Sequence, residues 1–332
     1  MNVAVIGLGW WGTHVCKALT DRSTKFRVVR GIDLNPETKA DLAAEIGFEL
    51  SSDYQDALDD DNVDGVILVT PHATHKTLVL RAVEAGKQVF CEKPLSLTAD
   101  SAKRMVKACA DAGLTLGIGH ERRFEPALEE IARVVKSGDL GTILLVEGHY
   151  SHDIFQPLAA DNWRGSLADA PAAGWTGMGV HITDLLINML GPITEIRAIS
   201  ANRVLDLPSG DAVSTQFKFG DETMGTINVV SATPFYGRLA VYGEQGWVDI
   251  QETSHGANPG PAHVTYCNKA GERELKIFEP VDIVTLNFDH WAGAVAGDVE
   301  YRFSDMERIS NVAVLEALAK STATGQAEPV DN

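Results

Sequence analysis

The amino-acid sequence predicts an α/β fold that begins with a doubly wound parallel sheet and continues into a part dominated by antiparallel strands. Three observations predict it. Over residues 1–120, short β-branched runs alternate with helical patterns. Glycines in G-x-G-x-x-G spacing directly follow the first apolar run. Beyond residue 142, apolar residues mostly alternate with polar ones, which is typical of a sheet with one exposed face.

The first element is the stretch VAVIGLGWWGTHVCKAL at residues 3–19, which starts as a buried strand and runs on into a helix. The turn between strand and helix contains three spaced glycines: Gly7, Gly9 and Gly12. A strand, a tight glycine turn and a helix N-terminus form the order that binds the pyrophosphate of a dinucleotide. The sequence therefore predicts a dinucleotide site at this turn.

The next elements continue the alternation. Strands are predicted at 26–33, 63–70, 87–92 and 114–119, with helices at 36–47, 74–86 and 98–113. These helices end at glycines, the usual left-handed stop signal: Gly47, Gly86 and Gly113. Strands that alternate with amphipathic helices form βαβ units and a parallel sheet covered on both faces. This part is therefore predicted to be a Rossmann-type domain.

Asp33 ends the second predicted strand, 21 residues beyond Gly12. An acidic side chain at this place accepts hydrogen bonds from the adenosine ribose hydroxyls. A 2′-phosphate would meet a like charge there, and the following Leu34–Glu37 segment contains no Lys or Arg. NAD is therefore favoured over NADP. Asp33 as a helix cap before Pro36 is the alternative interpretation.

The composition excludes several classes of partner. Lys and Arg number 28 against 46 Asp and Glu, a net charge of −18, which argues against nucleic acid and anionic membranes. No apolar run approaches the roughly 20 residues of a membrane-spanning helix. The cysteines contain no C-x-x-C pair and indicate reduced thiols in the cytoplasm: Cys16, Cys91, Cys109 and Cys267. Nucleic acid and anionic membranes are therefore not expected as main partners.

The second half begins with a helix at 124–141 that ends in a glycine turn. Strands are then predicted at 142–151, 194–202, 212–220, 223–231, 237–251 (with a turn near Gly243) and 262–268. A long Gly-, Ala- and Asp-rich segment at 152–173 precedes a helix near 176–190, and two helical stretches near 282–297 and 304–322 close the chain. We therefore predict two domains, 1–122 and 123–332.

A set of short motifs carries a family resemblance. GLGWWG, TPHATH (70–75), EKP (92–94), RFEP (123–126), SGDLG (137–141) and GVHITDLL (179–186) follow one another as in the Gfo/Idh/MocA oxidoreductases, which include glucose–fructose oxidoreductase and inositol dehydrogenase. The resemblance covers nearly the whole chain. It implies a C-terminal α/β domain with a large open, mostly antiparallel sheet, whose exposed face would form a homodimer or homotetramer. It also implies NAD-dependent oxidation of a secondary alcohol of a sugar, polyol, sugar acid or related cyclic alcohol.

Two residues are the catalytic candidates. Lys93 lies at the carboxyl end of a parallel strand, where open α/β sheets bind ligands. A lone lysine there is more often a surface charge, but within E-K-P the resemblance implies contact with substrate and nicotinamide ribose. His181 and Asp184 share one face of a predicted helix. The resemblance makes His181 the general base or proton relay and Asp184 a substrate ligand or an orienting partner.

Further site residues follow from the resemblance. It implies these cofactor contacts: Gly7, Gly9, Trp10, Trp11, Gly12, Asp33, Leu34, Thr70, Pro71, His75, Glu92 and Lys93. It implies these substrate contacts: Lys93, Arg123, Trp163, Arg164, His181 and Asp184. We expect at least one of the two neighbouring indoles, Trp10 or Trp11, to lie beside the nicotinamide or the substrate. Packing between the domains is the alternative role for both.

The chain departs from the family at one position. Many members carry an Asp four residues before the histidine, where this chain has Gly177. Either Lys93 and His181 suffice for the relay, or an acid of the preceding loop replaces the missing one: Asp153, Asp161 or Asp169. A zinc site built from His149, His152, His181 and Asp184 is not favoured, because strand alternation separates the first two and hydride transfer needs no metal.

The basic residues of these motifs give a hypothesis about the substrate. Arg122, Arg123, Arg164, His120 and Lys93 would converge into a locally positive cleft that accepts an anionic substrate. The alternative is that the arginines pair with nearby carboxylates. Two other functions also stay open: an NAD-binding regulator without turnover, like the galactose-regulon repressors, and glycoside cleavage with NAD recycling. The presence of both Lys93 and His181 favours a dehydrogenase over a regulator.

Overall fold

The computed structural model describes residues 1–154, 156–158, 162–254 and 259–332. It divides into two compact units. The first comprises Met1–Ser96, Asp100–Glu121 and Asp282–Asp305; the second comprises Leu97–Ala99, Arg122–Val281 and Met306–Asn332. No helix among the described residues is long and apolar enough to cross a membrane.

The strands, in chain order, are β1 (Asn2–Ile6), β2 (Arg27–Ile32), β3 (Glu49–Ser51), β4 (Gly65–Leu68), β5 (Gln88–Cys91), β6 (Leu116–Ile118), β7 (Ile143–Ser151), β8 (Ile193–Ala201), β9 (Ala212–Phe219), β10 (Met224–Val230), β11 (Tyr236–Gly243), β12 (Gly246–Glu252), β13 (Ala262–Asn268), β14 (Arg273–Phe278) and β15 (Glu328–Pro329). The α-helices are α1 (Trp10–Arg22), α2 (Ala40–Ile46), α3 (Tyr54–Leu58), α4 (His75–Glu84), α5 (Ala99–Asp111), α6 (Pro126–Ser137), α7 (Gly179–Leu190), α8 (Ile283–Ala296) and α9 (Asp305–Thr324).

The first unit contains a parallel sheet with strand order β3-β2-β1-β4-β5-β6. The order reverses between β1 and β4, so the carboxyl ends of these strands form the switch point where open α/β sheets bind ligands. The predicted parallel sheet is confirmed, and the predicted helix ends at Gly47, Gly86 and Gly113 all have positive φ. The sequence does not predict β3 and α3. Each is too short for its residues to show a period.

Helix α8 lies within 123–332, the range predicted to form the second domain. The helix belongs to the first unit. Its Phe288 and Trp291 are buried and pack on Phe90 of β5, with ring centroids 4.2 and 5.4 Å away. The Trp291 indole also donates a hydrogen bond to Thr115 O at 3.1 Å. An apolar helical pattern near the end of a chain does not show which sheet the helix covers. Here Phe288 and Trp291 pack on the sheet of the first unit.

The second unit contains a nine-stranded sheet with order β14-β13-β12-β11-β7-β10-β9-β8-β15. All its pairs are antiparallel except β7 with β10, so the mostly antiparallel sheet expected from the resemblance is confirmed. Helices α6 and α7 pack on one face and bury an apolar core around Ile182, Ile227 and Val241. The other face carries polar side chains, among them Arg238, which bonds Glu147 at 3.1 Å and Asp249 at 2.9 Å.

Candidate active site

The glycine turn of the first unit uses its three glycines in two different ways. Gly7 has φ +90°, and a Cβ there would lie 2.5 Å from Val69 O. A Cβ on Gly12 would lie 1.9 Å from Gly7 O, so these two glycines let α1 start directly against the sheet. A Cβ on Gly9, by contrast, would meet no atom within 4 Å. The space beside Gly9, at the N-terminus of α1, therefore fits the approach of a pyrophosphate.

The Asp33 carboxylate is fixed beside this turn. Its Oδ2 accepts a hydrogen bond from Leu8 N at 2.8 Å, and its Oδ1 accepts one from Asn35 N at 3.0 Å. Asp33 is not the N-cap residue of the following 3₁₀ helix Pro36–Lys39, because Asn35 occupies that position. Leu34 is exposed, and the segment that follows brings no cation to the carboxylate. The geometry fits an acid that contacts a ribose.

A buried histidine joins two of the motifs. The His75 ring lies 3.1 Å from Thr70 O through Nε2 and 3.0 Å from Pro94 O through Nδ1. It is completely buried. Pro94 follows Lys93 through a cis peptide bond. His75, predicted as a cofactor contact, is the last residue of TPHATH, and its ring contacts the backbone of Thr70 in the same motif and of Pro94 in EKP.

The Glu92 carboxylate connects the glycine turn to Lys93. The Trp11 indole donates a hydrogen bond to Glu92 Oε1 at 2.7 Å, and Lys93 N donates one to Glu92 Oε2 at 3.2 Å. Burial raises the pKa of Glu92, while the Lys93 charge and the indole hydrogen bond act in the opposite direction. Gly119 makes room for this carboxylate, since a Cβ there would lie 2.4 Å from Oε2. Nothing in the sequence indicated this contact.

The two tryptophans therefore differ. Trp11 is half-buried, bonded to Glu92, and stacked on His14 with ring centroids 4.9 Å apart. Trp10 is 65% exposed, which does not fit a packing role for it. Trp11 is thus tied to the E-K-P motif, and only Trp10 presents its indole to solvent.

In the second unit, helix α7 is buried on every side and carries His181 and Asp184, both buried. Arg123 donates two hydrogen bonds of 2.6 Å to the two oxygens of Asp184 and one of 3.1 Å to Glu307. Asn188 donates to the same Glu307 oxygen at 2.8 Å. Both Asp184 oxygens contact Arg123, which favours the orienting role over the substrate ligand. The sequence does not indicate Glu307, because it stands among polar residues in the first turn of α9.

The hypothesis of a positive cleft fails for two of its arginines. Burial alone would lower the pKa of Arg123, but the Asp184 and Glu307 carboxylates raise it, so the guanidinium stays charged and paired. Arg122 bonds Glu125 at 2.8 Å and also contacts Glu252. Pairing with carboxylates, the alternative considered above, is thus correct for Arg122 and Arg123.

Arg164 is placed differently. It lies in the 3₁₀ helix Trp163–Gly165, with its guanidinium carbon 4.2 Å from the centroid of the Trp163 ring. Within the described part of the chain, it forms no ion pair with a carboxylate. Burial lowers the pKa of this guanidinium. Trp163 and Arg164, both expected as substrate contacts, therefore form one stacked unit.

The remaining candidates fall into two groups. His149 bonds Ser151 Oγ at 2.7 Å, and His152, which follows the end of β7, is buried. Among the described residues, no group of three or more His, Cys, Asp and Glu side chains is placed to hold a metal ion. Of the loop acids, Asp153 is exposed, Asp169 is half-buried, and Asp161 lies outside the described residues.

Comparison with known proteins identifies the family. Residues 1–120 match the model of the oxidoreductase family with an NAD-binding Rossmann fold, and residues 128–249 match the GFO/IDH/MocA C-terminal domain. The chain belongs to the GFO/IDH/MocA oxidoreductases. This family member is 29% identical to inositol 2-dehydrogenase 2 of Saccharopolyspora erythraea, over 100% of this chain and 96% of the relative. It is 28% identical to scyllo-inositol 2-dehydrogenase (NAD(+)) of Bacillus subtilis, over 82% of this chain and 78% of the relative.

Solved structures of other proteins share the fold of this GFO/IDH/MocA member. Levoglucosan dehydrogenase in complex with NADH superposes with a TM-score of 0.87 at 20% identity, covering 100% of this chain and 99% of that one. Aldose-aldose oxidoreductase from Caulobacter crescentus superposes with a TM-score of 0.86 at 21% identity, covering 99% of each chain. At these identities the likeness establishes the fold alone.

The two kinds of glycine give a prediction with an internal control. Gly9→Ala adds a methyl group into open space, so the free energy of unfolding should change by less than about 1 kcal/mol. The same methyl group should weaken NADH binding at least about tenfold, because it occupies the space expected for the pyrophosphate. Gly12→Ala should instead destabilise the fold by about 1–3 kcal/mol through its clash with Gly7 O.

Urea unfolding and a fluorescence titration with NADH measure both quantities. Unchanged NADH affinity in a folded Gly9→Ala variant would show that the dinucleotide does not approach this turn.

Proposed function

We propose that this chain is an NAD-dependent dehydrogenase that oxidises a secondary alcohol of a sugar, polyol, sugar acid or related cyclic alcohol. The observation that carries the proposal is the position of Lys93. Its backbone is held by Glu92 at the carboxyl end of β5, and the same carboxylate holds Trp11 of the glycine turn. Relatives named for inositols and levoglucosan support this class of substrate.

In this proposal the chain binds the dinucleotide and manages one proton. When bound, NAD supplies a hydride acceptor. The Lys93 ammonium lowers the pKa of the substrate hydroxyl, and His181 takes or relays its proton. Asp184, held by Arg123, fixes the helix from which His181 projects.

The preference for NAD over NADP is part of the proposal. The family contains both preferences, since the relative from Haloarcula marismortui, 24% identical over 90% of this chain, is named D-xylose 1-dehydrogenase [NADP(+)]. Here the fixed Asp33 carboxylate supports NAD, because a 2′-phosphate would lie beside a like charge.

The proposal also includes the oligomeric state of the protein and its cellular compartment. We propose assembly into a homodimer or homotetramer through the open face of the nine-stranded sheet, where Arg238, Glu147, Asp249 and Tyr242 form a hydrogen-bonded polar network. A reducing cytoplasm fits the cysteines, which are all buried thiols.

Cofactor preference tests the role of Asp33. The chain should use NAD with at least about tenfold higher kcat/KM than NADP, about 1.4 kcal/mol of discrimination. Asp33→Ser combined with Leu34→Arg should narrow or invert this ratio, because it replaces the repelling charge by an attracting one. Asp41→Ser, which removes an exposed carboxylate from α2, is the control and should leave the ratio unchanged. Equal efficiency with both cofactors in the parent would contradict the role assigned to Asp33.

Removal of the proposed acid–base residues tests the enzyme itself. Cyclic polyols, sugars and sugar acids are screened with NAD by the absorbance of NADH. Lys93→Ala and His181→Ala should each lower kcat by about 10²–10⁴ while NADH still binds, and Lys269→Ala on an exposed turn should not. The double variant should lose less than the product, because both residues serve one proton transfer.

The loop acids are tested in the same assay. If Lys93 and His181 form the whole relay, single replacement of Asp153, Asp161 or Asp169 by Asn leaves kcat within about threefold. A large loss at one of them identifies the additional acid. If no alcohol in the panel is oxidised and both alanine variants match the parent, the chain is a nicotinamide-binding regulator instead of a dehydrogenase.

A further inference from the structure

Trp11 holds the buried Glu92 carboxylate from a position next to the glycine turn. Glu92 is 7% exposed. Its Oε1 accepts the hydrogen bond of the Trp11 indole at 2.7 Å, and its Oε2 accepts that of Lys93 N at 3.2 Å. Gly119 lies against the same carboxylate, because a Cβ there would be 2.4 Å from Oε2. The carboxylate is thus enclosed and held by two N–H donors.

The charge of Glu92 depends on a small set of neighbours. Burial raises its pKa, and the Lys93 charge and the indole hydrogen bond lower it. Cys91, which precedes it in β5, is a buried thiol whose pKa is raised by burial and by the Glu92 charge. His14 stacks on the Trp11 ring with centroids 4.9 Å apart, and burial lowers its pKa. The indole is therefore the contact from outside the E-K-P motif that favours an ionised Glu92.

The effect of this contact extends to Lys93. An indole N–H only donates hydrogen bonds, so it favours the carboxylate form of Glu92 over the acid form. An ionised Glu92 in turn favours the ammonium form of Lys93, the form in which Lys93 acts in the proposed function. We propose that Trp11 is a positioning residue for the oxidation, because it keeps Glu92 ionised and, through Glu92, keeps Lys93 charged. This inference rests on the proposed dehydrogenase function and gives the first turn of α1 a part in its acid–base chemistry.

The pH dependence of kcat separates this role from a purely structural one. Trp11→Phe removes the donor, so the Glu92 carboxyl should keep its proton to higher pH, and its charge is lost as the pH falls. In the NAD assay, Trp11→Phe should lower kcat at least about fivefold at about pH 6.5 and come within about twofold of the parent at about pH 9. Glu92→Gln, which keeps an oxygen acceptor but no charge, should lower kcat at both pH values.

The double variant shows whether Trp11 acts through Glu92. Adding Trp11→Phe to Glu92→Gln should change kcat by less than about twofold at either pH, because the charge is already absent. Trp247→Phe, which removes a half-buried indole from β12, is the matched control and should leave kcat at the parent value. The inference is overturned if Trp11→Phe matches the parent at the lower pH, if its loss is equal at both pH values, or if the loss persists in the Glu92→Gln background.

A spectroscopic measurement gives the same answer without turnover. In NMR spectra of the ¹⁵N-labelled protein, the indole N–H signal of Trp11, one of six, is identified by its loss in Trp11→Phe. Its chemical shift should change as the pH falls and Glu92 takes up a proton. That change should be absent from Glu92→Gln, in which His14 still titrates. The same pH dependence in the parent and in Glu92→Gln would overturn the inference. If the signal follows Glu92 but no alcohol in the panel is oxidised, the proposed function fails while the bond to an ionised Glu92 stands.

Discussion

The hydrogen bond from the Trp11 indole to the Glu92 carboxylate is the constraint that ties the glycine turn to the E-K-P motif in the first unit. It joins the start of α1, at the glycine turn, to the end of β5, 81 residues further along the chain. The second oxygen of Glu92 holds the backbone of Lys93. Since burial disfavours a charged carboxylate, Glu92 depends on these donors and on the Lys93 charge. The dinucleotide turn and the proposed catalytic lysine therefore form one structural unit.

The second unit also contains a buried carboxylate that accepts hydrogen bonds from a distant part of the chain. Helix α7 is buried on every side, so apolar packing alone would tolerate small rotations of it. The two short hydrogen bonds between Arg123 and Asp184 remove that freedom, and Glu307 binds the remaining side of the guanidinium. Breaking one partner of such a buried pair typically costs about 3–5 kcal/mol, because the other charge is left without compensation. The helix that carries His181 is thus held by a buried ion pair.

Local sequence patterns predicted the helices and strands well, but they did not predict which distant side chains contact each other. Spacings within about 20 residues predicted the glycine turn, the position of Asp33, the parallel sheet and the helices that end at glycines. The contact between Trp11 and Glu92 and that between Arg123 and Glu307 join residues 81 and 184 positions apart. Such pairs depend on which distant segments each unit brings together, and no local pattern contains that information. The same reason explains why the sequence did not indicate that α8 groups with the first unit.

The motifs named residues but did not say which of them touch each other. The sequence places Arg122, Arg123 and Arg164 together in one positive cleft, and only the structure separates two paired arginines from one without a carboxylate partner among the described residues. His75 was grouped with cofactor contacts, and the structure shows a buried link between two loops. Charge balance and burial decide such roles, and neither can be read from a single sequence.

A double-mutant cycle on Trp11 and Glu92 tests the central contact most directly. Trp11→Phe removes the indole donor, Glu92→Met removes the acceptors at similar length, and urea unfolding gives the free energies of the parent, the two single variants and the double variant. The contact predicts a coupling free energy of about 1–3 kcal/mol, as for a hydrogen bond to a charged group, with Trp11→Phe nearly neutral once Glu92 is gone. Trp10→Phe, at the exposed indole, should show no coupling to Glu92→Met. A coupling free energy near zero for Trp11 and Glu92 would contradict the account.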